Sequence, residues 1–152
     1  MRCWSGIGAG VSSTLALADS GKVTFVHEGI NGGSSPSDFY WTDESRSSKD
    51  KYANRRIELW DAMKIRFKKT YEMRHGIAKH SLDDCITIPN HPQLIQELST
   101  PVLKYWSDGK MLLESKQDMA KRNVKSPDFG DALSYALARD NSFNFTNSNT
   151  YY

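Results

Sequence analysis

Cysteine is scarce in this chain, with Cys3 and Cys85 the two present among 152 residues. Two thiols build neither a disulfide framework nor a four-ligand zinc site, so free thiols in a reducing compartment, the cytoplasm, are expected. No apolar run approaches the roughly 20 residues that cross a bilayer. The stretch from Met1 to Ala18 opens with a basic residue, but Gly6, Gly8, Gly10, Ser12 and Ser13 break its apolar part. That interruption argues against a signal peptide. Net charge is small, +2 from 20 basic and 18 acidic residues. Affinity for nucleic acid therefore has to come from a local patch rather than from the chain as a whole. Nothing resembles a phosphate-binding P-loop. Gly6-x-Gly8-x-Gly10 lacks the third glycine of a dinucleotide loop, whose place is taken by Val11. What is present is enough chain for one domain with its own core.

The pattern of apolar and turn residues organises that chain. Residues 11–18 read as a short helix ended by Asp19-Ser20-Gly21, and residues 23–27 as a strand. The Gly/Ser-rich stretch 29–48 reads as an exposed loop. Helical spacing of Ala53, Ile57, Trp60, Met63, Phe67 and Tyr71 predicts a helix over 53–71 buried along that face. Arg55, Arg56, Lys64, Arg66, Lys68 and Lys69 then occupy its other faces, a solvated surface or one that meets phosphates. His75, His80, Asp83 and Asp84 cluster in sequence at a spacing that fits no standard zinc pattern. Residues 93–98 predict a short helix with Leu94, Ile95 and Leu98 inward. Residues 102–106 and 110–114 predict a hairpin across Ser107-Asp108-Gly109, because Asp-Gly between apolar runs favours a tight turn. Tyr105 and Trp106 either pack across the hairpin or face a ligand together with Lys104 and Lys110.

Chemistry concentrates after the hairpin. Ser126 is an expected N-cap, Pro127 suits the first helical position, and Asp128 complements the helix dipole. Phe129, Ala132, Leu133, Ala136 and Leu137 form an apolar stripe, with Asp131 on its margin. Asp128 and Asp131 are helical neighbours, and two close carboxylates suit a hard divalent cation. The alternative is a dipole-complementing Asp128 and an ordinary helix residue at Asp131. Lys116, Lys121, Arg122 and Lys125 lie just upstream and, with Lys104 and Lys110, are candidate contacts to a phosphate backbone.

The run Ser115-Lys116-Gln117-Asp118-Met119, the basic pair Lys121-Arg122, and Ser126-Pro127-Asp128-Phe129-Gly130-Asp131-Ala132-Leu133 together resemble the close of a known domain. It is the nuclease domain of tailed-phage terminase large subunits, the DNA-packaging motor proteins. Upstream, Tyr52 to Trp60 resembles the Asn-x-Arg helix of that family. Ile88-Pro89 with Gln93 to Ser99 resembles its short helix before the hairpin, and Gly6 to Val11 its glycine turn. The likeness covers most of residues 6–138, in the family's order.

That resemblance implies an α/β, RNase H-like nuclease fold, a mixed sheet flanked by helices with a β-hairpin near the site. It implies metal-dependent endonucleolytic cleavage of double-stranded DNA concatemers with two Mg²⁺ or Mn²⁺ ions. Asp131 matches the late catalytic acid, and Asp128 is expected as a second metal ligand or helper. The implied partners are double-stranded phage DNA, the portal protein and the small terminase subunit, in an oligomeric motor in the bacterial cytoplasm. Residues 1–140 are expected to be the C-terminal portion of an N-terminally truncated domain, and 141–152 a disordered polar tail. The family's ATPase domain and its strand bearing the first acid have no counterpart in the sequence. The second acid's position falls near Cys3, where no acid stands. A catalytically inactive prophage remnant and a DNA-binding or motor-docking module are therefore alternatives to a working nuclease.

Overall fold

In the computed structural model the residues described are 29–38 and 46–138. The helix expected at 11–18, the strand at 23–27, the glycine turn, Cys3 and the tail lie outside them. The chain divides into two compact units, Met1–Asn31 and Gly32–Tyr152. Of the first, only residues 29–31 are described, and they form neither helix nor strand. All elements below belong to the second.

Local capping sets where its helices start. Helix α1 spans Ser48–Lys51, and its N-cap Ser47 accepts from the Asp50 amide. Helix α2 spans Arg55–Arg74, and Asn54 Oδ1 accepts from the Ile57 amide at 3.2 Å. A 3-10 turn follows at Leu82–Asp84. Helix α3 spans Pro92–Ser99, opened by proline and by His91 Nδ1 accepting from the Leu94 amide. Helix α4 spans Lys116–Lys121, with Ser115 Oγ accepting from the Asp118 amide at 3.0 Å. Each such acceptor satisfies an amide that the first turn leaves without a helical partner. Asn123, at φ 58°, closes α4 in the left-handed conformation.

Strands β1 (Leu103–Tyr105) and β2 (Met111–Leu113) pair antiparallel, with Lys104 opposite Leu112. The ladder continues through Trp106 N to Lys110 O and Glu114 N to Val102 O, as the hairpin reading expected. Gly109 makes the turn at φ 82°, a left-handed conformation that favours glycine. On its other side β2 meets the chain before α2, where the Ala53 amide donates to Met111 O at 2.9 Å. Strand β1 stays exposed, and Tyr105 and Trp106 are 64% and 50% exposed, so cross-strand packing does not bury these aromatics.

The core gathers Tyr52, Ile57, Trp60, Met63 and Leu113, flanked by Phe67, Ile86, Leu98, Met111, Leu133 and Leu137. Helix α2 is its spine. Ile57, Trp60 and Met63 are buried as the spacing predicts, whereas Tyr71, near the far end, is exposed. The first half of α2 also buries Glu58, Leu59 and Asp61, so it is enclosed nearly all round. Arg55 and Arg56, read from sequence as part of a solvated face, are instead half-buried and paired with carboxylates.

Helix α5 (Asp128–Ala136) packs against α2 and α3, and it corrects two expectations. Pro127 rather than Ser126 holds the N-cap position, and the Ser126 hydroxyl bonds Asp128 Oδ1 instead. The buried residues are Gly130, Asp131 and Ser134, while Phe129, Ala132 and Ala136 are exposed. The cause is the close approach of Trp60: a Cβ on Gly130 would stand 2.8 Å from its Cη2 atom. The small residue at Gly130 lets α5 approach that indole, while Leu133 and Leu137 of the expected stripe still pack against the core.

Candidate functional site

Where α5 crosses α2, Asp131 is buried, 6% exposed. Burying a carboxylate is costly unless donors replace its water. Two donors from α2 converge on Oδ1: Arg56 Nε at 2.8 Å and the Trp60 indole Nε1 at 2.9 Å. Arg56 Nη1 also reaches Glu114 O, just past β2, at 3.2 Å, while its Nη2 is buried without a partner. The second oxygen of Asp131, Oδ2, faces the Lys116 ammonium at 3.5 Å. Tyr135, one turn along α5, has its hydroxyl pKa raised by burial and by the Asp131 charge.

Asp128 lies at the exposed start of the same helix. Lys116 Nζ stands 3.2 Å from its Oδ1, so one ammonium is shared between Asp128 and Asp131. The Ser126 hydroxyl, and then Lys116, hold the Asp128 carboxyl below its ordinary value. The two predicted carboxylates are thus brought to a common corner, and the atom between them is cationic. Among the described residues no group of three His, Cys, Asp or Glu is arranged to hold a metal ion.

The predicted phosphate-contact residues divide into two kinds. Lys104 and Lys121 both pair with Asp118, at 3.0 and 2.9 Å, and hold its carboxyl well below the usual range, Lys121 foremost. Arg122 grips the buried Glu114 carboxylate through Nε and Nη2 at 2.9 and 2.5 Å. Lys116 is shared between the two aspartates. Among the described residues Lys110 and Lys125 have no salt bridge, and Lys125 is exposed. The His75, His80, Asp83 and Asp84 grouping does not converge: His80 binds Glu72 at 2.7 Å, and Asp84 binds Lys69 at 3.1 Å.

Sequence reasoning missed Arg56, Trp60, Gly130 and Glu97 as parts of this corner. Glu97, on α3, is buried, and its Oε2 accepts from the Phe129 and Gly130 amides at 2.6 and 3.2 Å. It therefore supplies the helix cap that Pro127 cannot. Spacing does not join these residues to Asp131 or α5, because the partners lie 32 to 75 positions apart. Two traces are readable: the Asn-x-Arg resemblance covers Arg56 and Trp60, and Gly130 in the first turn of α5 costs helix stability and so asks for a packing reason.

Helices packed on a small antiparallel hairpin match solved structures of the RNase H-like nuclease fold. The particular likeness is to the nuclease domain of a phage large terminase subunit. The nuclease domain of the large terminase subunit gp2 of bacterial virus Sf6 superposes with a TM-score of 0.77 at 26% identity, over 89% of this chain and 62% of that one. A mutant of the same domain solved with manganese gives a TM-score of 0.77 at 25% identity, over 89% and 63%. The same mutant solved with calcium gives 0.76 at 25% identity, over 89% and 62%. The chain therefore spans less than two thirds of the solved domains it matches. No family model matches the chain, and no curated protein does.

Proposed function

We propose that this chain is part of the nuclease portion of a phage DNA-packaging terminase large subunit. Its reaction is metal-dependent endonucleolytic cleavage of double-stranded DNA concatemers in the bacterial cytoplasm. The observation that carries this reading is the superposition on the Sf6 domain across 89% of the chain. In an assembled motor, the portal protein and the small terminase subunit are its expected partners.

The residues at the corner fit a divalent cation. Asp128 Oδ1 and Asp131 Oδ2 converge on a single positive atom, at 3.2 and 3.5 Å. Hard carboxylate oxygens of this kind suit Mg²⁺ or Mn²⁺. Asp131 and Asp128 are the proposed metal-binding and catalytic acids. A divalent ion held there supplies Lewis-acid stabilisation of the charge that develops on a phosphodiester. The protein's own side chains do the rest. Arg56 and Trp60 hold the Asp131 carboxylate, and Lys116 brings a positive charge to both acids. Lys104, Lys110, Lys121, Arg122 and Lys125 provide the cationic rim for the DNA backbone.

Nicking of supercoiled plasmid with Mn²⁺ or Mg²⁺, comparing the chain with Asp131→Asn, tests this reading. Cleavage that needs metal and vanishes in the variant supports it. A second reading, a non-catalytic DNA-binding or motor-docking module or an inactive prophage remnant, is favoured by the absence of a three-acid cluster among the described residues. It predicts salt-sensitive DNA binding that survives Asp131→Asn with no cleavage by folded protein, or no DNA binding at all in the case of a remnant.

A further inference from the structure

We infer that Arg56 is a positioning residue for the Asp131 carboxylate, and that it decides which oxygen of that carboxylate meets a cation. The inference rests on the proposed cation site and deepens it. Both strong donors to Asp131, Arg56 Nε and Trp60 Nε1, fall on Oδ1. Oδ2 is left facing the outside of the corner, where its neighbour is Lys116. A carboxylate held this way cannot rotate about its Cβ–Cγ bond without breaking two hydrogen bonds, so Oδ2 is presented in a fixed direction.

The form of the arginine matters as well as its charge. Its planar fork spans two elements, reaching Asp131 on α5 and the Glu114 carbonyl after β2 at once. Lysine offers a single point charge and no rigid fork. The arrangement leaves Nη2 buried without an acceptor. An arginine chosen only to neutralise Asp131 has no reason to sit where one of its donors is stranded. One chosen to fix the carboxylate's orientation against β2 does, and local departures from ideal satisfaction are expected where function constrains a site. Groups that orient metal ligands from behind commonly govern metal affinity.

Mn²⁺ binding, followed by electron paramagnetic resonance of the free ion, tests this on the full chain, Arg56→Lys, Arg56→Gln and Asp131→Asn. Urea unfolding of each variant is measured in parallel. A folded Arg56→Lys is expected to bind Mn²⁺ about tenfold to a hundredfold more weakly than the parent. Unchanged affinity in folded Arg56→Lys overturns the positioning role while leaving the cation site standing. Should Arg56→Lys not fold, Arg56→Gln removes the fork between Asp131 and the Glu114 carbonyl and carries the same expectation, and unchanged affinity in that variant overturns the role equally. If the parent chain binds no more Mn²⁺ than Asp131→Asn, the cation site itself fails and the positioning role fails with it.

Discussion

The indole nitrogen of Trp60 donates to Asp131 Oδ1 at 2.9 Å, across 71 residues of chain. The spine of the core and the candidate catalytic acid are therefore one hydrogen-bonded unit. Replacing Trp60 by Phe keeps an aromatic ring in the core but removes the donor. The expected cost is about 1–3 kcal/mol, the range for a buried acceptor that loses a partner. Urea unfolding of the variant measures it, and a midpoint equal to that of the parent chain contradicts the prediction.

Gly130 is required by contact rather than by backbone angle. A Cβ there would stand 2.8 and 2.9 Å from the Trp60 ring. Gly130→Ala gains helix propensity yet is expected to destabilise by about 1–3 kcal/mol, as overpacking does. Combined with Trp60→Phe, its cost should shrink, because the smaller ring vacates that space. A thermodynamic cycle on the four chains reads the coupling, and strict additivity argues against the contact.

Glu97 holds the start of α5 through two amides. Glu97→Ala is expected to cost about 1–3 kcal/mol and to loosen α5 before the rest of the fold. Hydrogen exchange at the Phe129 and Gly130 amides should rise in the variant. Unaltered protection there would mean another group caps the helix.

Acid should weaken the link between β2 and α4. Arg122, by its hydrogen bonds to Glu114, holds that carboxyl below its ordinary value of 4.5. Because the folded value is the lower one, the resulting stability is present above the unfolded value and is lost as pH falls through the folded value. Urea midpoints measured from about pH 6 down to about pH 3 should fall for the parent chain, and less steeply for Glu114→Gln. Parallel pH profiles for the two chains would contradict this.

The cationic residues should separate in DNA-binding assays. Lys125 is exposed and has no salt-bridge partner among the described residues, so Lys125→Ala is expected to lower the salt slope of binding by about one, with stability unchanged. Arg122→Ala strands the buried Glu114 carboxylate and should lower stability as well. Fluorescence anisotropy across a salt series, with a melting curve for each variant, distinguishes the two.

Much of the frame was legible because its signals are local. Apolar spacing from Ile57 to Met63 marks the long helix, Leu94 and Leu98 mark the short one, and Asp108-Gly109 marks the hairpin. The pairing of Asp128 and Asp131 at one corner also follows from helical spacing. What the sequence hid is which side of α5 faces inward. Its apolar stripe points to Phe129 and Ala132, but burial follows Gly130, Asp131 and Ser134. Arg56 and Trp60, distant in sequence, can satisfy a buried aspartate, and periodicity counts that aspartate as polar. For the same reason Arg56 passes as one more charge on a basic helix.

Glu97 also limits the direction from which a nucleic acid can approach. The open end of a helix, with its unpaired amides, is an inviting seat for a phosphate. In α5 the amides of Phe129 and Gly130 are already bound by a carboxylate of the same chain, and that carboxylate is negatively charged. A duplex bound as proposed would be kept from the axis of α5 and drawn to its flank, where the ammonium of Lys116 stands.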